Sequence, residues 1–310
     1  MKVIFFGMGS IGWRHYRIMQ KLYPDFHYYA YKRERYENSP LASIYSWDEV
    51  ESINADLAFI CNPTDKHLDF ALECAKRKIN LFIEKPLSNS LEKVKELMYY
   101  VNLNRLHVLV GYNLRFHPII EKIKGYIDST NDHVIRFSAY CGSYLPDWRN
   151  NDYKNSYSAK RAQGGGVVLD LSHEIDYCRW IWGNPEKVIG CYGKYSELEI
   201  ETEDNLEVIL QYRGKVGVIH LDYYRLYPRR EVEVLTDQAV LFGDLINGIF
   251  SIKTRQSDTT EHVRIYPDLT YEKQLTHLVG LLEGNSEPRC SLEDSVETMQ
   301  LLMKIKGDLL

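Results

Sequence analysis

The sequence predicts an α/β protein with a doubly wound parallel sheet in its N-terminal part and a mostly antiparallel sheet with helices in its C-terminal part. Up to about residue 116, short apolar runs alternate with amphipathic stretches of helical period, which is typical of parallel strands joined by helices. From about residue 188, β-type runs follow one another over short connections, which is typical of an antiparallel meander. The 310 residues are enough for two domains, each with its own core.

The N-terminal pattern predicts five strands with helices between them. The strands are expected at residues 2–6, 28–31, 57–61, 81–84 and 107–111, and the helices at 11–22, 65–78 and 91–104. Right-handed crossovers between such strands build a sheet whose ligands bind beyond the carboxyl ends of the strands. Residues that directly follow a strand are therefore the candidates for ligand binding.

The C-terminal pattern begins with a helix at residues 118–128 and a strand at 134–142, and a long polar and aromatic loop then runs to Gly166. The elements expected after it are a helix at 167–182, strands at 188–195, 205–212, 216–222, 231–235, 239–242 and 249–254, and helices at 271–283 and 292–306. Because the pattern changes near residue 118, we expect a first domain at residues 1–118 and a second at 119–310.

The composition excludes several classes of protein. A net charge of −5 leaves no positive surface for nucleic acid, and the apolar runs are far too short to cross a membrane. The chain starts directly with a strand-like run and lacks the pattern of a secretory signal, so we expect a cytoplasmic location. The six cysteines are scattered and expected to be reduced, and no spacing of histidine, cysteine and carboxylate residues indicates a metal site.

A glycine-rich turn follows the first predicted strand, where residues 7–12 read GMGSIG. In this context Gly7 permits a tight turn, Gly9 lets the backbone approach a pyrophosphate, and Gly12 allows close packing of helix and strand. Ser10 and Ile11 open the helix, whose N–H groups and dipole favour an anion. The turn therefore predicts a bound dinucleotide.

Two cations stand at the end of the second predicted strand, where an NAD-specific site usually has a carboxylate. Lys32 and Arg33 can form charge-assisted bonds to a 2′-phosphate, which favours NADP as the cofactor. The alternative is that both cations are solvated and that Glu34 reaches the ribose of NAD instead.

Further motifs follow the later strands in a fixed order. They are Asn62-Pro63-Thr64 with His67, then Glu84-Lys85-Pro86, then Asn113 and Arg115, and finally the triplet 164–166 ahead of Asp170 and His173. Together these motifs resemble the Gfo/Idh/MocA family of oxidoreductases. The resemblance runs through essentially the whole chain, and the joint order of the motifs makes it specific.

The resemblance implies a Rossmann domain followed by an α/β domain with an open antiparallel sheet, which often forms an oligomer interface. We therefore expect a homo-oligomer, either a dimer or a tetramer, that acts on a sugar, a polyol or a related carbonyl compound. The resemblance also implies that Lys85 lies beside the nicotinamide and the substrate, with Glu84 near the cofactor ribose. An ammonium group at that place stabilises developing alkoxide charge and can move a proton.

The same resemblance assigns residues after the third and fifth strands to the cofactor. These residues are Asn62, Pro63, Thr64, His67 and Asn113. A lone histidine on a helix is more often structural, so His67 has that alternative. Arg115 is expected either at the substrate or, equally, in an ion pair between the domains.

The second catalytic element departs from the family pattern, in which an aspartate and a histidine are separated by three residues. Here two residues separate Asp170 from His173, and Glu174 occupies the fourth place. Both spacings lie on one helical face. We expect His173 to exchange the proton, since an unperturbed histidine pKa lies near neutrality, and Asp170 to position it or the substrate. The alternative is that Glu174 exchanges the proton.

The long loop carries aromatic and cationic residues, of which Trp148, Tyr153 and Arg161 are expected at the substrate together with Glu174. Aromatic faces pack on sugar CH groups, and a cation pairs with a phosphate or carboxylate, which suggests a nucleotide sugar. A solvated loop, or one that contacts another subunit, is the alternative.

These residues predict hydride transfer between a nicotinamide cofactor and a sugar-type substrate, with Lys85, Asp170 and His173 at the reacting oxygen. Two alternatives use the same fold: a cofactor-binding regulator without turnover and an NAD-assisted glycosidase. A regulator has no need of proton-transfer groups. A lasting change in nicotinamide absorbance would separate a dehydrogenase from a glycosidase.

Overall fold

The computed structural model describes residues 1–32, 40–148 and 152–308, with residue 308 described by its backbone alone. The chain divides into two compact units: unit 1 is Met1–Asn113 with Thr270–Met299, and unit 2 is Leu114–Leu269 with Gln300–Leu310. The sequence predicted one boundary at residue 118 and two continuous domains. The structure instead places the first boundary five residues earlier and groups residues 270–299 with unit 1.

The helices of the described residues differ from the predicted ones at two places. In chain order they are α1 (Ser10–Leu22), α2 (Trp47–Ile53), α3 (His67–Lys76), α4 (Val94–Asn104), α5 (Pro118–Ser129), α6 (Val167–Asp170), α7 (His173–Trp182), α8 (Leu269–Leu282) and α9 (Leu292–Asp308). The short α2 was not predicted, although its Ser46 cap accepts a hydrogen bond from the N–H of Glu49. The single helix predicted at 167–182 is wrong, because Leu171, at φ −96° and ψ 33°, leaves the helical conformation.

The strands of the described residues include all those predicted and two more. They are β1 (Lys2–Phe6), β2 (His27–Tyr31), β3 (Ala42–Ile44), β4 (Leu57–Ile60), β5 (Asn80–Ile83), β6 (Val108–Val110), β7 (Val134–Tyr144), β8 (Lys187–Gly193), β9 (Asn205–Tyr212), β10 (Lys215–Asp222), β11 (Tyr224–Thr236), β12 (Ala239–Asp244), β13 (Ile249–Thr254) and β14 (Asp258–His262). The additional strands are β3 and β14.

Unit 1 is built on a parallel sheet with the order β3-β2-β1-β4-β5-β6, which confirms the predicted doubly wound arrangement. All four residues of β4 are fully buried, as expected for a strand covered on both faces. Phe5 stacks on Phe59 with ring centroids 4.6 Å apart. Leu275 and Leu278 of α8 belong to the same core, which explains why this helix groups with unit 1.

Unit 2 is built on an eight-stranded sheet with the order β14-β13-β12-β11-β7-β10-β9-β8, in which only β10 and β7 pair in parallel. The mostly antiparallel sheet is therefore confirmed. Along β9, buried Leu206 and Val208 alternate with exposed Glu207 and Ile209, so one face of the sheet is packed. Phe137 of β7 stacks on Trp182 of α7 on the packed face, with ring centroids 3.7 Å apart.

The carboxyl ends of the central strands of unit 1 bring several motifs to one edge of its sheet. The glycine turn follows β1, residues 62–64 follow β4, residues 84–86 follow β5 and residues 111–113 follow β6. In a doubly wound sheet this edge is where ligands bind. None of the described helices is both long enough and apolar enough to cross a membrane.

Candidate functional site

The glycine turn of unit 1 needs glycine at two of its positions. Gly7 has φ +95°, and a Cβ atom there would lie 2.6 Å from the backbone of Cys61 and Asn62. A Cβ atom on Gly12 would lie 2.1 Å from the carbonyl oxygen of Gly7. Both distances are too short for any side chain, so the turn packs directly against α1 and the end of β4.

The remaining glycine of the turn, Gly9, faces open space. No described atom lies within 4 Å of a Cβ built on Gly9, which is the N-cap residue of α1. No side chain caps the helix, and its first turn, with Ser10 and Ile11, contains no acidic residue. The open N–H groups and the uncompensated positive end of the helix fit a phosphate group.

The predicted ribose-binding cations are described only in part. Lys32 directly follows β2, and its N–H donates to the carbonyl oxygen of Ile44 at 2.8 Å. Arg33 and the alternative Glu34 lie outside the described residues. The choice between a cation and a carboxylate at the ribose therefore stays a prediction.

Glu84, at the end of β5, is held by a buried histidine. The ring of His15 is fully buried in α1, and its Nε2 lies 2.5 Å from Glu84 Oε1, while the Lys85 N–H donates to Glu84 Oε2 at 3.1 Å. Burial alone would raise the pKa of Glu84, but the hydrogen bond from His15 and the charges of His15 and Lys85 outweigh it and lower the pKa. Glu84 is therefore an ionised acceptor.

His67, the first residue of α3, touches two of the loops at the sheet edge. Its Nδ1 lies 2.9 Å from the carbonyl oxygen of Pro86, and its Nε2 lies 2.9 Å from that of Asn62. Burial lowers the pKa of His67, although both carbonyl groups favour the protonated ring. These contacts favour a structural role for His67, in which it holds the two loops together, rather than the contact with the cofactor that the resemblance implies.

The other predicted cofactor residues of unit 1 lie at the same sheet edge. Pro63 is exposed, Asn62 is partly exposed and Thr64 is buried. Asn113 is also buried, and its Nδ2 donates to Thr270 Oγ1 of α8 at 2.7 Å. Asn113 is thus tied to the part of unit 1 that comes late in the chain.

In unit 2, Asp170 is held by three hydroxyl groups. Tyr157 donates to Oδ1 at 2.6 Å, and Ser158 and Tyr223 donate to Oδ2 at 2.6 Å and 3.1 Å. Burial and the nearby Asp170 raise the pKa of Tyr223, so its phenol stays protonated and donates. The carboxylate of Asp170 is therefore oriented from several sides.

Asp170 and His173 lie on different helices of unit 2. Asp170 ends α6, and His173, which is partly exposed, begins α7. The expectation that both stand on one helical face is wrong, since the helical conformation is interrupted between them. Their closeness in the chain still places them at the ends of consecutive short helices.

Two predicted substrate residues of unit 2 are buried in ion pairs. Glu174 is fully buried, and Arg230 of β11 donates to both of its oxygens at 2.8 Å and 3.1 Å. Arg115 is also fully buried and donates to both oxygens of Asp176 at 2.8 Å and 2.7 Å. Since Arg115 and Asp176 both belong to unit 2, this is not an ion pair between the two units. These contacts favour structural roles for Glu174 and Arg115.

The predicted substrate residues of the long loop are held by the protein at their polar atoms. Trp148 donates to Ser143 Oγ at 2.9 Å and packs edge-on against Tyr223 at 5.3 Å. The hydroxyl of Tyr153 accepts from the N–H of Glu199 at 3.2 Å. Arg161 donates to the carbonyl oxygen of residue 201 at 3.1 Å. Trp148 is thereby tied to the hydroxyl network of Asp170 through Tyr223.

Several residues of the site escaped the sequence analysis. These residues are His15, Ser158, Tyr223 and Arg230, each of which contacts a predicted site residue. The one local signal was the position of His15 three residues after the glycine turn. Among the described residues, no group of three histidine, cysteine or carboxylate side chains could hold a metal ion.

A glycine turn and a lysine at one edge of a doubly wound sheet define a nucleotide-binding oxidoreductase. Two family models match the chain: "Oxidoreductase family, NAD-binding Rossmann fold" over residues 1–112, and "GFO/IDH/MocA C-terminal domain" over residues 134–242. Together they cover more than half of the chain. The chain belongs to the Gfo/Idh/MocA family of oxidoreductases, which confirms the resemblance.

Named relatives agree with this assignment. An uncharacterized oxidoreductase of Bacillus subtilis, YrbE, is 31% identical over 155 residues, which are 49% of this chain but only 42% of that protein. The myo-inositol 2-dehydrogenase of Thermotoga maritima is 24% identical over 95% of this chain and 92% of its own length. The structure of the WlbA dehydrogenase from Chromobacterium violaceum, in complex with NADH and UDP-GlcNAcA, has a TM-score of 0.83 at 16% identity, covering 99% of this chain and 92% of that one. The last likeness shows the fold.

Substitutions in the glycine turn separate binding from folding. Gly9→Ala adds a methyl group where the pyrophosphate would lie, in space that is open in the protein itself, so we expect an unchanged Tm but a coenzyme affinity at least tenfold weaker, a loss of about 1.4 kcal/mol or more. Gly12→Ala should lower both the Tm and the coenzyme affinity, because its Cβ atom would collide with the Gly7 carbonyl oxygen. Fluorescence titration with NADH or NADPH and calorimetry measure the two effects. Normal affinity in Gly9→Ala would contradict a pyrophosphate at this turn.

Replacing Arg230 tests whether Glu174 is structural. Arg230→Met leaves a buried carboxylate without its partner, so we expect the free energy of unfolding to fall by about 3–5 kcal/mol in urea titrations. The double variant E174M/R230M should recover most of the loss, because no charge stays buried alone. A stable R230M variant would argue that Glu174 is available for chemistry.

Proposed function

We propose that the protein transfers a hydride between a nicotinamide cofactor and a carbinol or carbonyl carbon of a sugar-type substrate. The observation that carries this proposal is that the open glycine turn and Lys85 lie at the carboxyl ends of β1 and β5, at one edge of the same parallel sheet. When bound, the nicotinamide accepts or donates the hydride at its C4 atom. The residues of the chain bind and orient the cofactor and the substrate, and they exchange the proton with the substrate oxygen.

The proposed chemistry at the substrate oxygen begins with Lys85. In oxidation, the hydroxyl oxygen gains negative charge as its hydrogen leaves, and an ammonium group beside it stabilises that charge. His173 accepts the hydroxyl proton in oxidation and returns it in reduction. The hydroxyl network fixes Asp170 as an acceptor that orients the substrate or the histidine.

His173 rather than Glu174 is the proposed proton-transfer group. Both oxygens of Glu174 already accept from Arg230 in a fully buried setting, whereas His173 is partly exposed at the start of α7. A group that exchanges protons with a substrate must be reached by it. The contacts of Glu174 therefore support His173.

The proposed substrate class is a sugar or a polyol. The more specific proposal within this class is a nucleotide sugar. The relatives include a myo-inositol 2-dehydrogenase, and the WlbA structure contains UDP-GlcNAcA. In this chain, Trp148 is partly exposed next to Tyr223, which supports packing of a sugar face near Asp170. Arg161 is an exposed cation of the same loop, which supports an anionic appendage.

Turnover by a Lys85→Met variant tests the proposed role of the amine. We expect coenzyme affinity to change less than threefold while kcat falls at least about a hundredfold, the range for loss of a group that stabilises transition-state charge. Absorbance at the nicotinamide band with a panel of free and nucleotide sugars measures turnover. Equal losses of affinity and kcat would indicate a structural lysine. Glycoside cleavage without net change in absorbance would indicate the glycosidase alternative.

NADP is the proposed cofactor, supported by Lys32 directly after β2 and by the absence of a carboxylate among residues 27–32. A guanidinium or ammonium group pairs with a 2′-phosphate, which NAD lacks. We expect kcat/KM for NADPH to exceed that for NADH at least tenfold, and Lys32→Ala to reduce the ratio. A clear preference for NADH in the wild-type protein would overturn the proposal.

We also propose a cytoplasmic homo-oligomer, a dimer or a tetramer. The unpacked face of the unit 2 sheet carries partly exposed apolar residues, among them Ile189, Ile209 and Val240, next to paired ions such as Arg136 with Glu233. A surface of this mixed kind suits contact with a second copy. Light scattering after size exclusion tests the proposal, and a monomer at micromolar concentration would contradict it.

A further inference from the structure

The peptide before Lys85 is fixed by a histidine that comes from the helix of the glycine turn. Because the ionised Glu84 only accepts hydrogen bonds, the His15 Nε2 atom carries the hydrogen and donates across 2.5 Å. The other carboxylate oxygen accepts from the Lys85 N–H. Aromatic rings of Phe82 and Tyr271 pack against the fully buried His15 ring at 4.8 Å and 5.6 Å between centroids, so the ring is held in place.

The peptide after Lys85 is fixed by a second histidine from another helix. His67 is 98% buried, and its Nδ1 lies 2.9 Å from the carbonyl oxygen of Pro86, next to Lys85 in the chain. Its Nε2 faces the carbonyl oxygen of Asn62, at the end of β4. A neutral ring has one N–H, so it donates to only one of these carbonyl groups.

The two histidines therefore act on the residues on either side of Lys85, and each comes from a helix that begins next to a predicted cofactor motif. α1 starts at Ser10 of the glycine turn, and α3 starts directly after residues 62–66. Both ring contacts are buried, where losing a partner costs about 1–3 kcal/mol, so alternative positions of this segment are disfavoured. A backbone held at both ends limits the volume that the lysine side chain can reach.

We propose that His15 and His67 are positioning residues for Lys85. His15 holds Glu84 on one side and His67 holds the Pro86 carbonyl on the other, so that the amine keeps a fixed position relative to the glycine turn. This inference rests on the hydride-transfer function proposed above. Misplacement of a reacting group by about 1 Å can cost a hundredfold in rate. Loss of either contact should consequently affect kcat far more than coenzyme affinity, because the glycine turn itself is unchanged.

Matched substitutions test each contact at the atom that makes it. A glutamine amide nitrogen stands near the Nε2 position of histidine and an asparagine amide nitrogen near Nδ1, so His15→Gln and His67→Asn keep the proposed donors. His15→Leu and His67→Gln remove them, and His67→Gln keeps only a donor towards residue 62. His277→Gln is the control, since His277 also lies in unit 1 and its Nε2 accepts from the N–H of Arg289 at 3.1 Å.

We expect His15→Leu and His67→Gln to lose at least tenfold in kcat with coenzyme Kd within threefold of the wild-type value. His15→Gln and His67→Asn should recover most of the rate, and His277→Gln should match the wild type. A larger rate loss in His67→Asn than in His67→Gln would overturn the Pro86 contact. Parallel losses in Tm, Kd and kcat, without rescue by the conservative variants, would overturn the positioning role altogether.

Hydrogen exchange separates failure of this inference from failure of the proposed function. In the full chain without substrate, the backbone amides of residues 84, 85, 87 and 88 should exchange at least tenfold faster in His15→Leu and His67→Gln than in their conservative counterparts. Unchanged exchange would overturn the inference even if the wild type is an active dehydrogenase. Faster exchange in these two variants, together with a wild-type protein that binds no nicotinamide nucleotide, would instead refute only the proposed function.

Discussion

The buried carboxylate of Glu84 is the group on which the arrangement of unit 1 depends. A carboxylate in an apolar interior is costly unless it is hydrogen-bonded, and here His15 and the Lys85 N–H satisfy it. This requirement joins α1, which starts at the glycine turn, to the end of β5. The helix of the glycine turn and the lysine are thus parts of one packed structure, although about seventy residues of chain separate His15 from Glu84.

Unit 2 also contains buried carboxylates, and two of them are hydrogen-bonded by different kinds of partner. Asp170 accepts hydrogen bonds from three neutral hydroxyl groups. Glu174, four residues later, is neutralised by the guanidinium of Arg230. Because both oxygens of the fully buried Glu174 accept from Arg230, its contacts favour a structural role, and the proposed chemistry is placed at Asp170 and His173 instead.

The sequence predicted the features that local pattern determines. The central strand β4 is apolar throughout, and the glycine turn has a spacing that follows from steric limits at Gly7 and Gly12, so both were predicted correctly, whereas the short edge strand β3 was missed. The partners of buried polar groups were not predictable, because Arg230 lies 56 residues from Glu174 and Tyr223 lies 53 residues from Asp170. The break between α6 and α7 was missed because its residues, Leu171 and Ser172, do not disrupt a helical pattern.

Unit 1 is not finished where its sheet ends. Leu275 and Leu278 of α8 belong to the core of unit 1, yet the ribosome makes them only after the whole sheet of unit 2. Domains fold as their residues leave the ribosome. Part of the apolar surface of the nascent N-terminal sheet therefore stays uncovered until α8 has been synthesised. The coenzyme-binding half of the protein should therefore mature last, and truncated chains that stop before residue 270 should be prone to aggregation.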